Sequence, residues 1–73
     1  MAIEWEEVVS SNIEAIGYDA DERELHVRFN YGAEYVYHDV PSDVVLGFLA
    51  ASSKGKYLAD HIKGKYEFAK KVG

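Results

Sequence analysis

The sequence predicts an α+β domain in which a three-stranded antiparallel meander is followed by two C-terminal helices packed on one sheet face. Two observations support this class. Through most of the first forty residues apolar and polar residues alternate, as in half-buried strands. After Pro41, the only proline, apolar residues instead recur every three or four positions, as on one side of a helix. The 73 residues leave room for one domain, residues 1–73, with no linker or second domain.

Short apolar alternations open the chain. Ile3 and Trp5 alternate with glutamates, which fits either a short extra N-terminal strand or one turn of helix. The first long strand begins at Ile13, and strict alternation places this residue on the face opposite Ile16. Gly17 in the same strand indicates a bulge or a close approach of another part of the chain.

The clearest strand is residues 25–29, LHVRF, where apolar and polar side chains alternate without a break. A turn at residues 30–32 follows, and Gly32 suits a positive φ angle there. Residues 34–38 then return as the antiparallel partner. These segments complete the predicted meander.

The helices are predicted from capping residues and apolar spacing. Pro41 ends the sheet, Ser42 is expected to cap the first helix, and a second helix is expected to begin near Ser53 and to end near Gly64. The inner side of the first helix is predicted to consist of Val44, Val45, Phe48 and Leu49. The inner side of the second is predicted to consist of Tyr57, Leu58, His61 and Ile62. The chain after Gly64 is predicted to be an irregular tail whose two aromatic residues pack back, Tyr66 and Phe68.

Composition limits the classes of function. The chain has no cysteine, so it offers no disulfide, thiolate metal site or cysteine nucleophile. Its N-terminus is acidic and it lacks an apolar run near the roughly 20 residues of a membrane span, so we expect a cytoplasmic protein without a membrane partner. Residues 1–50 carry eleven acids and two bases, whereas residues 51–73 carry six bases and two acids. An anionic partner is therefore expected at the C-terminal third.

The loop at residues 52–56 is the first candidate site. A small, glycine-containing entry to a helix exposes backbone N–H groups, and Lys54 and Lys56 flank Gly55, so a phosphate would fit there. The alternative is that Ser53 is only a helix cap and that Gly55 eases helix packing. The spacing is not that of a P-loop.

The tyrosines are the second candidate feature. Five tyrosines could form a stacking platform for nucleic-acid bases, as exposed aromatic residues do in single-strand RNA binders: Tyr31, Tyr35, Tyr37, Tyr57 and Tyr66. The alternative is that they fill the core of a small domain that lacks other bulky residues. Which sheet face the helices cover decides between these readings, and the sequence leaves that open.

Other polar residues are interpreted without a site. Lys56 and Asp60 lie four residues apart, which predicts an exposed ion pair rather than a basic stripe. His26 and His38, with Asp39 nearby, lack the spacing of a metal site, and solvated histidines are the favoured interpretation. No oxyanion device accompanies Ser53, Asp60 and His61. We therefore expect no enzymatic activity, metal or cofactor.

Three motifs occur in a fixed order: Y-x-Y at residues 35–37, Val-Pro at residues 40–41 and S-x-G-x-Y at residues 53–57, followed by Ile62. In this order and spacing, over residues 11–66, the sequence resembles the KTSC domain. That family is named for its occurrence at the C-terminus of some lysyl-tRNA synthetases and also includes free-standing bacterial proteins. It has no settled function, and RNA binding is the activity suggested for it. The resemblance implies that the tyrosines of these motifs match the family's aromatic positions.

Two hypotheses of function follow. In the first, the protein is an accessory RNA-binding module that contacts phosphate at residues 53–56 while Tyr57 or a sheet tyrosine stacks on a base, with steep salt dependence. The acidic first fifty residues oppose this hypothesis, because they would repel a nucleic-acid backbone across the sheet. In the second, the domain binds a protein partner or itself through an exposed apolar patch, and this binding survives salt.

Overall fold

The computed structural model describes residues 3–8 and 12–71, which form an α+β domain. Its five strands make one antiparallel sheet, in the order in which they follow along the chain. The strands are β1 (Glu4–Glu7), β2 (Ile13–Asp19), β3 (Glu24–Phe29), β4 (Glu34–Tyr37) and β5 (Phe68–Lys71). The α+β class and the central meander are confirmed, but the sheet has two more strands than the three of the predicted meander.

The outer strands account for this difference. β1 is the short N-terminal segment, which adopts its strand alternative rather than a helical turn. The irregular tail predicted after Gly64 is wrong, because this stretch contains β5. Gly64 has a positive φ of 77°, which turns the chain after the second helix, and Phe68 then pairs with Tyr37 of β4. Pairing with the open edge of β4, rather than any strong local alternation, makes this segment a strand.

Both predicted helices are present between β4 and β5. α1 spans Ser42–Ala50, and α2 spans Lys54–Tyr57 and continues directly into a π-helical segment, Leu58–Ile62. None of the helices in the described ranges is long and apolar enough to cross a membrane.

The two helix starts are capped differently. Ser42 is not the cap of α1, as the sequence predicted, but its first residue; Pro41 holds the cap position in an extended conformation, and its carbonyl accepts the Val44 N–H at 3.1 Å. Ser53 does cap α2, because its Oγ accepts the Lys56 N–H at 3.4 Å. The proline supplies a fixed φ angle but no acceptor side chain, so the backbone carbonyl takes over that role.

Both helices pack on one face of the sheet, the helix-covered face. Cross-strand pairing aligns Tyr18, Leu25 and Tyr37 in one row on this face. The buried core combines apolar residues of the strands and helices: Ile13, Ile16, Leu25, Val27, Tyr37, Val40, Val45, Phe48, Leu58 and Ile62. Tyr35 and Tyr37 therefore point toward the helices, which answers the question of sheet face that the sequence left open.

β2 departs from strict alternation near its start. A register shift between Ile13 and Ala15 brings Ile13 into the same core as Ile16, so the prediction that these residues face opposite sides is wrong. Gly17 marks a close approach, as one of the two predicted alternatives has it. A Cβ at this position would lie 2.8 Å from a ring atom of Trp5. The Trp5 side chain of β1 thus packs directly on the backbone of β2 at Gly17.

The opposite side of the sheet, the free face, is covered by its own side chains. The Arg28 guanidinium lies 4.4 Å from the centroid of the Trp5 ring, and Trp5 meets His26 edge-on at 5.9 Å. Glu34 Oε2 lies 3.3 Å from His26 Nδ1 and Glu34 Oε1 lies 3.5 Å from Arg28. His26 is only 4% exposed, so the expectation of a solvated histidine is wrong for this residue.

Candidate nucleic-acid interface

A groove of about 260 Å³ opens between the β3–β4 hairpin and α2, on the helix-covered face. Aromatic rings of the hairpin form one wall, and small or aliphatic residues of the helical segments form the other. The lining residues are Asn12, Ile13, Phe29, Tyr31, Tyr35, Tyr37, Gly55, Leu58, Ala59 and Lys63. The groove brings together Tyr35, Tyr37 and Gly55, which the sequence assigns to two separate candidate features.

The rings beside the groove form a continuous aromatic strip of Tyr31, Phe29, Tyr35 and Phe68. Tyr31 stacks on Phe29 with centroids 5.5 Å apart and 22° between the planes. Phe29 meets Tyr35 edge-on at 5.4 Å, and Tyr35 lies 5.5 Å from Phe68. The two ends of the strip are open to solvent, since Tyr31 is 71% exposed and Phe68 is 54% exposed. The strip thus presents ring faces that are already ordered by their neighbours.

The helical wall supplies space and a positive charge. Gly55 and Ala59 carry little or no side chain where they border the groove, and Lys63 follows at the same four-residue spacing. A Cβ at Gly55 would meet only Asn12 Nδ2 at 3.7 Å, so close packing does not require a glycine here. Lys63 is exposed and forms no ion pair within the described residues. A cation therefore lies next to exposed aromatic rings.

The candidate loop itself is engaged within the domain. Ser53 caps α2, as one of the two alternatives for this loop has it. The Lys54 ammonium donates a hydrogen bond to the Ala51 carbonyl, and Lys56 Nζ lies 3.0 Å from Asp60 Oδ2. The predicted ion pair between Lys56 and Asp60 is confirmed. An anion at this loop would have to compete with these contacts.

Tyr57 is half-buried and packs against the core instead of lining the aromatic groove. Its ring stacks on Phe48 with centroids 5.5 Å apart, and its hydroxyl donates to the Val44 carbonyl at 3.1 Å. Gly47 makes room for it, because a Cβ there would lie 2.5 Å from the Tyr57 hydroxyl. One face of the Tyr57 ring is therefore packed on Phe48, while the residue also borders a cleft beside Ser53 and Lys56 of the candidate loop.

The two sheet tyrosines differ from each other. Tyr37 is 2% exposed, and burial raises the pKa of its hydroxyl, with a smaller upward effect from neighbouring Tyr35 and Tyr31. Its ring is part of the core, and only its edge borders the groove. Tyr35 is half-buried and belongs to the aromatic strip. Of these two sheet tyrosines, Tyr35 is thus the one with surface for a ligand.

The remaining polar candidates do not form a second site. No group of three or more histidine, aspartate or glutamate side chains in residues 3–8 and 12–71 could hold a metal ion. His61, predicted on the inner side of its helix, is exposed, and its ring lies 4.5 Å from the Tyr57 ring. The π-helical segment shifts the sequence spacing of inner residues, which a regular 3.6-residue repeat does not anticipate.

A larger groove of about 430 Å³ lies between α1 and the β2–β3 turn. Its polar lining includes three carboxylates, from Glu6, Asp19 and Asp21, and Leu46 is part of its apolar lining. Negative charge makes this groove unfavourable for phosphate. The aromatic groove, in contrast, has one charged lining residue, the base Lys63.

Several residues that line the aromatic groove were not predicted as site residues, among them Phe29, Ala59 and Lys63. Tyr31, in contrast, was one of the tyrosines predicted to offer a stacking surface. Phe29 was predicted only as a strand residue. Ala59 and Lys63 belong to none of the sequence motifs. They reach the groove because the helical segments pack against the hairpin.

Comparison with known proteins places this chain among small domains of one kind. A KTSC domain family model matches residues 9–66. A protein from Tsukamurella paurometabola is 44% identical over 59 residues, which is 81% of this chain and 88% of that protein. An uncharacterized protein from Stutzerimonas stutzeri is 37% identical over 57 residues, or 78% of this chain and 80% of that protein. The crystal structure of a KTSC domain protein from Yersinia pestis is 40% identical, superposes with a TM-score of 0.90, and covers 99% of this chain and 100% of its own.

Proposed function

This chain belongs to the KTSC domain family, and from that premise we propose that it is a non-catalytic module that binds single-stranded RNA in the aromatic groove. The observation that carries the proposal is the exposed Tyr31 ring, stacked on Phe29 and accompanied across the groove by Lys63. This arrangement combines the two elements of single-strand binding, which are a ring for a base and a cation for the backbone.

Base stacking supplies most of the expected affinity. An aromatic side chain that stacks on a base contributes about 1–3 kcal/mol, and any base provides a ring face. Tyr31 is held by Phe29 and Tyr35 is held by Phe29 and Phe68, so little side-chain freedom is lost when a base binds. The groove is too small for a duplex and fits an unpaired base from a loop or an end.

Charge contributes less and sets the salt dependence. Lys63 is the cation in the groove, while Lys54 and Lys56 lie beside Gly55 at its helical end. If three phosphates are neutralised, the logarithm of the binding constant falls with a slope of about 2 against the logarithm of salt concentration. The acidic residues 1–50 oppose wider contact, so the expected footprint is a few nucleotides.

The experiment is fluorescence anisotropy with labelled single-stranded RNA and tRNA, at low and physiological salt. Tyr31→Ala is expected to weaken binding about 5- to 100-fold through lost stacking, whereas Tyr31→Phe retains the ring and serves as its matched control. Lys63→Glu is expected to weaken binding and reduce the salt slope, whereas Lys63→Arg retains the charge. Circular dichroism establishes that each variant is folded.

A second variant separates the groove from the loop. Loss of binding in a folded Lys54→Glu, Lys56→Glu double variant, with full binding by Tyr31→Ala, would assign RNA to the loop and remove the groove from the proposal. Absence of binding by the wild type even at low salt would overturn RNA binding altogether. The protein-interaction hypothesis would then be the one to pursue.

A further inference from the structure

The two outer strands of the sheet carry opposite charge. β1, with sequence EWEE, contains three glutamates, and β5, with sequence FAKK, contains two lysines. Each is four residues long and, among the described residues, has a single neighbouring strand in the sheet, so one edge of its backbone faces away from the other strands. An outward edge is a template for another strand unless charge or a covering segment prevents pairing.

The charged side chains alternate between the two sheet faces in the same way at both edges. Glu6, opposite Ile16, and Lys70, opposite Tyr35, project on the helix-covered face. Their neighbours in sequence, Glu7 and Lys71, project on the free face. All four residues are exposed. Within the described residues the only ion pair among them is a long one, 3.8 Å between Lys71 Nζ and Glu34.

The topology fixes how two copies could meet. Because five consecutive strands alternate in direction, β1 and β5 run the same way. A second copy displaced sideways would therefore place its β1 parallel to β5 of the first, with the helices of both on one side. One register of these parallel strands then places Glu6 beside Lys70 on the helix-covered face and Glu7 beside Lys71 on the free face. The same register places Trp5 beside Ala69.

We propose that copies of this chain associate head to tail, with the acidic β1 edge of one pairing with the basic β5 edge of the next. Like edges repel each other, since β1 against β1 would oppose glutamates and β5 against β5 would oppose lysines. The interaction is heterologous, so it extends into short open chains of copies. With five strands at about 4.8 Å spacing, each copy adds about 24 Å.

The first measurement is the weight-average mass of the wild type by sedimentation equilibrium, without RNA, as a function of protein and salt concentration. At low salt the mass is expected to rise above the 8.2 kDa of one chain as concentration increases, and to return toward it at high salt, where charge pairs are screened. A wild type that stays at one chain's mass throughout would overturn the proposal.

Charge reversal tests the pairing itself. Glu6→Lys, Glu7→Lys gives a chain with two basic edges, and Lys70→Glu, Lys71→Glu gives one with two acidic edges. Each variant alone is expected to remain monomeric, whereas an equimolar mixture is expected to regain association through alternating copies. Asp21→Lys, Glu22→Lys makes the same net-charge change as the first variant in the exposed β2–β3 turn, which belongs to neither edge strand, and is expected to associate as the wild type does.

The mixture is the decisive result. Misfolding or a general change in net charge lowers association in each variant but does not restore it on mixing. A mixture of two folded variants that stays monomeric would overturn the edge-to-edge assignment. This test involves no RNA and leaves Tyr31 and Lys63 unchanged, so its outcome is independent of the aromatic groove.

Discussion

On the helix-covered face of the sheet, Leu25 and Val27 lie in an apolar core with Phe48 of α1. On the free face the intervening residue, His26, is buried beneath Trp5 of β1 and Glu34 of β4. One strand, β3, is thus buried on both sides. On one side the cover is a separate helical layer, and on the other it is side chains lying flat across the sheet.

This difference shows how a small sheet can be closed without a second layer of helices. The side chains that lie across the free face need a small residue beneath them, and Gly17 leaves this space for the Trp5 ring. It also has a cost, because His26 Nε2 is buried and has no hydrogen-bond partner among the described residues. The helix-covered face has tight apolar packing, whereas the free face depends on charge contacts and one aromatic ring.

Phe48→Ala tests the helical cover and should have the largest effect. Phe48 is fully buried and stacks on Tyr57, so its truncation is expected to lower the free energy of unfolding by about 3–5 kcal/mol. Urea denaturation followed by circular dichroism measures it. Leu46→Ala on the exposed side of α1 is the control and is expected to change stability by less than about 0.5 kcal/mol. Equal losses in both variants would contradict the assigned packing of α1.

Gly47→Ala and Gly17→Ala compare the glycine contacts of the two faces. In Gly47→Ala, the new methyl group collides with the Tyr57 hydroxyl, which is expected to lower the free energy of unfolding by about 1–3 kcal/mol. This loss outweighs the gain of about 1 kcal/mol from the higher helix propensity of alanine. In the second, the Trp5 ring lies on an edge strand and can move, so a smaller loss with altered tryptophan fluorescence is expected.

The background Tyr57→Phe provides the control for the helix-covered face. Removing the hydroxyl removes the 2.5 Å contact and leaves the ring carbon Cζ at 3.2 Å, so Gly47→Ala should then cost less than it does with Tyr57 present when thermal unfolding is measured. A Gly47→Ala variant that is more stable than the wild type, with Tyr57 unchanged, would contradict the close contact.

Glu34→Gln tests the free face and should have the smallest effect. The substitution keeps the shape but removes the charge beside His26, Arg28 and Lys71. A loss of about 1 kcal/mol is expected at low salt, smaller at high salt because these contacts are partly solvated. The exposed Glu22→Gln is the matched control. A salt-independent loss would indicate that shape rather than charge holds the free face together.

Local patterns predicted the elements well where they alternate or carry a cap. The strict period of residues 25–29 gave β3, and Ser53 gave the start of α2. The same reasoning failed at β5, whose sequence FAKK alternates too weakly to indicate a strand. It also failed at Ile13, because a bulge depends on the pairing of two strands and leaves no mark on one of them.

The residues of the candidate site were likewise predicted only in part from the sequence. The sequence named Tyr35 and Gly55, which both border the aromatic groove, but also Tyr57, which packs against the core on Phe48. A tyrosine in a small domain is consistent with either location, because its ring is apolar and its hydroxyl is polar. Which location it takes depends on the partner across the core, here Phe48 and the space left by Gly47.

By itself the sequence determined the class, the central meander, both helices and the division of charge between the two parts of the chain. These follow from apolar period, turn residues and composition, which are local properties. Only the tertiary structure decided that the tyrosines of β4 face the helices, that His26 is buried, and that Tyr31, Lys63 and Gly55 share a groove. Each of these depends on contacts between residues far apart in the chain, and such contacts arise when separate elements bury their apolar faces together.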